Sequence, residues 1–307
     1  MSATLLLEQC LNGMQLGIML FLMSAGLTLV FGIMNLVNLA HGSFYMAGAY
    51  LGAFVYASSQ SFLLGVVAGL GGALLIGLIA EFLIFRRIYK GDHLDHVLVT
   101  FGLTLIFNDL ARLIWGPAAL FARVPPFLSG QVNIFGLISY PAYRLAIIVV
   151  GLAVAALLYV LLRHTRLGML IRASASNRTM ASALGVNVVV LYALVFALGA
   201  GLAGLAGLMA GPIFTVIPGM GDNVLILAFV VIVVGGLGSV EGAFCAALVI
   251  GLIDTLGRSF MKPLFGLFLE RAAADNSAPA IASMLIYILM AIILFFRPQG
   301  LFPPKSR

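Results

Sequence analysis

The sequence predicts an all-α, polytopic membrane protein, a helical bundle of about eight to nine transmembrane spans in a single domain over residues 1–307. Hydrophobic residues make up 63% of the chain and charged residues only 8%. A soluble domain usually has about a quarter charged residues. Apolar stretches also recur with the length of about 20 residues that a helix needs to cross a bilayer. The chain is therefore solvated largely by lipid.

Breaks between the apolar stretches divide the chain into nine candidate spans. Charged segments at 86–96 and 163–187 separate some of them, and segment 116–143 has the prolines and aromatic residues of an interfacial connection. The second, seventh and eighth spans are short for a full crossing, so eight or nine crossings are expected. The spans are predicted at 12–32, 43–57, 62–85, 96–115, 143–162, 188–211, 223–235, 242–257 and 279–296.

The basic residues predict an orientation. Cytoplasmic loops of membrane proteins carry an excess of Lys and Arg, and ten of the sixteen such residues fall on one side of the predicted spans. That side is predicted to be the cytoplasm, with the C-terminus inside and, for nine spans, the N-terminus outside. The ten residues are Arg86, Arg87, Lys90, Arg163, Arg166, Arg172, Arg178, Arg297, Lys305 and Arg307.

Two halves of the chain follow a similar plan. Four spans precede the fifth and four follow the long basic segment, and each half has a pair of spans broken by glycines, at 32–42 and at 211–221. The two halves have opposite orientations in this topology. Inverted repeats with discontinuous helices are a recurrent design of transporters.

The first of these breaks is unexpectedly polar. The stretch GIMNLVNLAHGSFYMAGAY, at 32–50, follows an apolar span and contains Asn35, Asn38, His41, Gly42 and Ser43. Irregular backbone at membrane depth is tolerated only where it is buried in protein or lines a water-filled cavity. We expect these five residues to line or gate a translocation path. The alternative is that the two asparagines only cap packed helices.

Several other classes of function lack their motifs. The chain has no G-x-x-x-x-G-K-[ST] phosphate loop, and its glycine-rich segment 235–242 lies between two apolar stretches without a preceding strand. The four histidines lack metal-site spacing, and no G-x-S-x-G motif is present. The basic pI is not accompanied by a Lys/Arg cluster with aromatic residues. The sequence thus predicts no enzyme, no cofactor or metal, and no nucleic-acid partner.

An ion-coupled carrier or a channel acting alone is the alternative among transport functions. Coupling to protons or sodium usually places acids at mid-membrane, whereas Glu81 and the two other acids of the spans lie near span ends. Two of these acids are spaced to form ion pairs on one helix face, Asp109 with Arg112 and Asp254 with Arg258. Structural ion pairs are therefore expected there.

The segment RLGMLIRASASNRTMASALGVN, at 166–187, is too polar for a span and too apolar for a disordered loop. Its composition predicts a short helix over 170–184, which Gly185 is placed to end. Met180 and Leu184 fall on one face of that helix, and Arg178 adds charge. Such a helix either lies on the membrane surface or docks on a cytoplasmic partner.

These segments together resemble one family. RASASNRTMASALGVNV is similar to the cytoplasmic coupling segment of permeases in the branched-chain amino acid family of ABC importers, and GLTLVFGIMNLVNLAHGSFYMAGAY is similar to their N-terminal signature. VVGGLGSVEGAF and FFRPQGLF match later landmarks in the same order. The resemblance covers nearly the whole chain and is strongest to the first of the two permease subunits, the LivH type.

The resemblance implies a multi-pass subunit of the bacterial inner membrane that pairs with a second permease subunit, two ATP-binding cassette ATPases and a periplasmic substrate-binding protein. Selectivity in such importers lies largely in the binding protein, so a branched-chain amino acid, urea, an amide or an aromatic acid all remain open as substrates. The implied ATPase-coupling residues are Arg172, Ala173, Arg178, Met180, Ala181, Leu184 and Gly185.

Overall fold

A computed structural model describes residues 3–89, 91–134, 136, 138–268 and 270–302. Lys90, Lys305 and Arg307, which contributed to the predicted orientation, lie outside the described residues. Most of the chain is helical. The helices are α1 (Ala3–Met34), α2 (His41–Ser59), α3 (Phe62–Ala80), a π-helical segment (Glu81–Phe85), α4 (Arg86–Ile88), α5 (His93–Trp115), a 3₁₀ turn (Pro126–Leu128), α6 (Ala142–His164), α7 (Arg166–Ser176), α8 (Arg178–Ala183), α9 (Val188–Ala210), α10 (Met220–Gly235), α11 (Val240–Phe265) and α12 (Arg271–Phe296), and strands β1 (Gln131–Ile134) and β2 (Ile138–Pro141) form an antiparallel hairpin.

The described helices reproduce the predicted order of spans. Seven are long and apolar enough to cross a membrane: α1, α3 continued through α4, α5, α6, α9, α11 and α12. The other two predicted spans are α2, with 19 residues, and α10, a shorter apolar helix of 16 residues. The predicted fold class, a helical membrane bundle, is confirmed.

Helix ends differ from the predicted span ends at both termini. Helix α1 begins at Ala3 instead of residue 12, and α12 begins at Arg271 instead of residue 279. Pro279, where the last span was predicted to begin, lies inside α12. Residues 3–11 and 271–278 mix polar with apolar side chains, which shortened the predicted spans, but their backbone hydrogen bonds continue each helix.

Helices α1 and α9 form the centre of the bundle. In their most apolar windows 83% of α1 and 72% of α9 are buried, compared with 22% for α3, α5 and α6 and 11% for α12. Gly26 of α1 and Gly199 of α9 let the two backbones approach closely, since a β-carbon at Gly26 would lie 2.5 Å from the Gly199 carbonyl oxygen. Small residues at such contacts allow the close packing that holds membrane helices together.

Packing around the two central helices follows a repeated pattern. Helix α3 packs on α2 and α9, and α11 packs on α10 and α1. Helix α5 contacts α2, as α12 contacts α10. Exchanging α1, α2, α3 and α5 for α9, α10, α11 and α12 reproduces these contacts, with α6 between the halves, but the packing of α11 on α12 has no equivalent between α3 and α5. With α2 counted as a crossing, five crossings precede α9, and the second half is then predicted to run through the membrane in the opposite direction, as in an inverted repeat.

Candidate functional site

The polar stretch of the first half forms the connection between α1 and α2. Residues 35–40 are not helical, and they lead back along α1. The Nε2 atom of His41, the first residue of α2, lies 3.2 Å from the carbonyl oxygen of Met23, which is roughly three turns before the end of α1. Helix α2 thus begins beside the middle of a buried helix, and the irregular backbone before it is enclosed by protein.

Buried polar side chains without partners gather at the start of α2. Asn38 is fully buried, and neither its amide nitrogen nor its amide oxygen has a hydrogen-bond partner among the described residues. The same holds for the buried Ser43 hydroxyl and for Nδ1 of His41. Since a carbonyl oxygen only accepts hydrogen bonds, the contact of His41 with Met23 places the ring proton on Nε2 and leaves Nδ1 as a free acceptor.

Thr28 of α1 belongs to the same set of buried groups, and sequence reasoning did not include it. Its side chain is 1% exposed and its hydroxyl also lacks a partner among the described residues. Buried polar groups in proteins are nearly always hydrogen-bonded, and leaving one unpaired costs about 1–3 kcal/mol. Thr28, Asn38, His41 and Ser43 therefore each carry a buried polar atom that has no hydrogen-bond partner among the described residues.

Asn35 and Gly42 are placed differently from the buried polar side chains. Asn35 is exposed and has a left-handed backbone, with φ +52°. Its N–H donates to the carbonyl oxygen of Phe31 at 2.8 Å and ends α1. Asn38 does not cap α2, because the residue before that helix is Ala40 and no side chain caps it. Gly42 packs against the backbone of Gly221, at the start of α10.

The second half has a corresponding break. Residues 211–219 separate α9 from α10, and Gly219, with φ +84°, directly precedes α10. In the first turn of α10 the carboxylate of Asp222 accepts a hydrogen bond of 3.4 Å from the amide of Asn108 on α5. Sequence reasoning missed this pair, whose one signal was an acid beside the glycines of the predicted break.

The two predicted ion pairs of the spans are present, and Glu81 also has a partner, which was not predicted. Asp109 pairs with Arg112 at 3.7 Å and Asp254 with Arg258 at 2.9 Å. Glu81 is fully buried and pairs with Arg86 at 3.1 Å. Within the part of the chain that the structure describes, no group of three or more His, Cys, Asp or Glu side chains could hold a metal ion.

The segment predicted as a single helix over 170–184 consists of two helices, α7 and α8. They are separated by Asn177, whose backbone is extended and whose side-chain oxygen accepts a hydrogen bond from the N–H of Met180 at 2.9 Å. The local cap starts a new helix and so changes the chain direction. Gly185, with φ +88°, follows α8 at its end, as predicted.

Helix α8 presents an exposed apolar surface. Met180 is 58% exposed and Leu184, directly after the helix, is 79% exposed, whereas Ala181 is buried against the protein. A cavity of about 410 Å³ lies beside them, lined by residues that include Arg178 and Ser182.

Arg172 and Ala173 lie on α7 instead of α8, and both are exposed. The guanidinium of Arg172 donates to the carbonyl oxygen of Leu162 near the end of α6. The predicted coupling residues thus divide between two helices. On α7, Arg172 contacts α6. On α8 and directly after it, Met180 and Leu184 form the exposed apolar surface.

This architecture defines a class: a multi-pass helical membrane protein with two broken helix pairs and buried polar groups at one of the breaks, which is the architecture of a transport protein. Residues 9–294 match the family model described as "Branched-chain amino acid transport system / permease component". The chain belongs to this permease family.

Similar proteins carry names that agree with the family. The chain is 30% identical over 271 residues to the "High-affinity branched-chain amino acid transport system permease protein LivH" of Salmonella typhimurium, a match that covers 83% of this chain and 87% of that protein. It is 28% identical over 313 residues to the corresponding protein BraD of Pseudomonas aeruginosa, covering 96% and 95%. The probable LivH of Methanocaldococcus jannaschii is 26% identical, covering 87% and 86%. No solved structure matches the chain significantly.

Proposed function

We propose that this protein is the membrane-spanning permease subunit of an ATP-driven ABC importer for branched-chain or closely related amino acids. The observation that carries the proposal is the family match over residues 9–294, together with the names of the relatives, which are permeases of branched-chain amino acid transport systems. The subunit resides in the bacterial inner membrane as a single transmembrane permease domain.

The translocation path passes the start of α2. Asn38, His41 and Ser43 offer uncharged polar atoms that lack protein partners among the described residues. An amino acid zwitterion needs polar contacts during passage, and uncharged groups form contacts that are weak enough to break again. Asn35 and Gly42 set the backbone of the break, Asn35 by ending α1 and Gly42 by its contact with α10.

Coupling to ATP takes place on α7 and α8. The chain has no phosphate loop, so ATP is hydrolysed by two partner ATPases, and a second permease subunit and a periplasmic binding protein complete the importer. Met180 and Leu184 enter an apolar groove of an ATPase, with Arg178 beside them. Arg172, Ala173, Ala181 and Gly185 shape the two helices that carry this contact.

Reconstitution in proteoliposomes tests the proposal. The complete importer should take up leucine only when ATP is present inside the liposomes with the ATPases. Replacing the ATPases by hydrolysis-deficient variants should stop uptake, and the permease subunit alone should not hydrolyse ATP. Uptake that persists without working ATPases and responds to a proton or sodium gradient would instead establish an ion-coupled carrier.

A further inference from the structure

Tyr192, in the second turn of α9, connects the coupling segment to the end of α1. The guanidinium of Arg178 on α8 lies over the Tyr192 ring, 5.0 Å from its centroid. The Tyr192 hydroxyl donates to the carbonyl oxygen of Ile33 at 3.2 Å. The side chain is only 2% exposed, so its position is fixed by these neighbours. One side chain thus touches both the first residue of α8 and the last turn of α1.

The contact with Ile33 satisfies a carbonyl group that the helix itself leaves unpaired. The last four carbonyl groups of a helix have no partner within it, and Ile33 is the second-last residue of α1. The chain then enters the break at 35–40, which carries the buried Asn38. The hydrogen bond from Tyr192 to this carbonyl oxygen therefore helps to fix where α1 ends and the break begins.

A third contact anchors Tyr192 to the protein. Its ring meets Tyr89 edge to face, with centroids 5.4 Å apart. The Tyr89 hydroxyl donates to the buried carboxylate of Glu81 at 2.7 Å. Burial and this hydrogen bond raise the pKa of Tyr89, so its hydroxyl remains protonated. Glu81 also pairs with Arg86 across the π-helical segment, and π-helical insertions occur frequently at functional sites.

We propose that Tyr192 is a positioning residue for transport, which transmits movement of α8 to the inner end of α1 and so to the break beside α2. The inference rests on the proposed function. When α8 is displaced together with the ATPases, Arg178 shifts relative to the Tyr192 ring. The ring then moves relative to Tyr89, which is held in place by its hydrogen bond to Glu81. The Tyr192 hydroxyl then shifts or releases the carbonyl oxygen of Ile33.

The substitution Tyr192→Phe tests this connection in the complete importer. It keeps the ring under Arg178 and removes only the hydrogen bond to Ile33. Tyr143→Phe is a matched control, because the buried Tyr143 hydroxyl donates in the same way to a backbone carbonyl, that of Met209 in the last turn of α9, at 3.0 Å.

Leucine uptake and ATP hydrolysis are measured in the same proteoliposomes. In Tyr192→Phe we expect ATP consumed per leucine to rise roughly two- to tenfold, the factor by which loss of one ordinary hydrogen bond changes an equilibrium. Tyr143→Phe should leave that ratio at the wild-type value. An unchanged ratio in Tyr192→Phe, or an equal rise in both variants, would overturn the proposal.

The exposed Arg178 supplies a second test that does not depend on the stability of the buried tyrosine. Arg178→Gln removes the cation over the ring and should also raise the ratio. The double variant with Tyr192→Phe should be no worse than the more severe single variant, since both changes interrupt one connection. If the increases in ATP consumed per leucine from the two single variants multiply in the double variant, the two residues do not act through one connection. Failure of the proposed function is distinguishable, because the wild-type importer itself would then transport without ATP.

Discussion

Gly42 and Gly221 contact each other through their backbones, where α2 and α10 begin. A β-carbon at Gly42 would lie 2.7 Å from the carbonyl oxygen of Gly221, and one at Gly221 would overlap the carbonyl oxygen of Gly42. Each glycine follows the broken connection of its half of the chain. The two short helices therefore meet at their first turns, beside the buried polar groups of Asn38 and His41.

Gly221→Ala should destabilise the protein, because its methyl group would meet backbone atoms that no side-chain rotation can move. We expect a loss of about 1–3 kcal/mol, as for an overpacked core. Gly71→Ala is the control, since nothing lies within 4 Å of a β-carbon there, and Ala in a helix is more stable than Gly by about 0.5–1 kcal/mol. Thermal unfolding in detergent compares the two. Equal stability of both variants would argue against a close backbone contact.

Replacing Asn38 or His41 with Leu should reduce transport, and for Asn38 the amount of protein should not fall, whereas His41→Leu also removes the hydrogen bond to the Met23 carbonyl oxygen. The Asn38 amide makes no hydrogen bond with the described residues, so its loss should not lower stability. Loss of 1–3 kcal/mol of polar contact with the substrate would reduce uptake roughly 5- to 150-fold. Uptake and membrane abundance are measured in the same cells, with the exposed Asn276→Leu as the control. A fall in abundance at unchanged uptake per molecule would show a structural role.

Substitutions of Asn35 should change membrane abundance, where they have an effect, and leave uptake per molecule unchanged. Its left-handed backbone, with φ +52°, favours Asn or Gly and disfavours branched residues by about 1–2 kcal/mol. Asn35→Val should therefore lower membrane abundance, and Asn35→Gly should preserve it. Reduced uptake per molecule in Asn35→Gly, at normal abundance, would instead indicate that the Asn35 side chain contacts the substrate.

Met180→Asp or Leu184→Asp should release the ATPases or uncouple them from transport. Each change introduces a carboxylate into an exposed apolar surface, and burying an unpaired charge on docking costs several kcal/mol. Thr179→Asp adds the same charge to a neighbouring exposed residue and should have a smaller effect. Co-purification of the ATPases with the tagged permease provides the measurement. Normal co-purification and uptake in both variants would exclude docking through this surface.

The predicted orientation can be checked with single cysteines. Ser176→Cys, at the exposed end of α7, should react with a membrane-impermeant maleimide only after cells are opened, whereas Gln131→Cys in the exposed hairpin should react in intact cells. The native Cys10 and Cys245 are first replaced by Ala. Labelling of Ser176→Cys in intact cells would reverse the topology.

The order of helices could be predicted because hydropathy is a local property of the chain. Nine apolar stretches were predicted, and in the described residues a helix follows for each in that order: seven long apolar helices, the shorter apolar α10, and α2. The two breaks were also predictable, since in each of them glycine occurs together with Asn or Pro, which favour irregular backbone more than glycine alone does within these apolar runs. Gly185 indicated the end of α8 for a similar reason, because a glycine readily adopts the left-handed backbone that ends helices.

The division of the segment at 166–187 into α7 and α8 was not predicted. Ala, Met and Arg favour a continuous helix through this region, whereas one hydrogen bond from Asn177 begins a second helix. A local cap of this kind competes with propensity, and composition alone does not indicate which of them prevails.

By itself, the sequence determined that this is a helical membrane protein with two polar or glycine-rich breaks and a basic segment between its two halves. Only the tertiary structure decided which groups meet: Gly42 with Gly221, Asn108 with Asp222, and Tyr192 with Ile33. The physical reason is that lipid and protein interior are both apolar, so a membrane helix is hydrophobic on all faces. No polar face marks which side of each helix turns inward, and the contacts across the bundle depend on that choice.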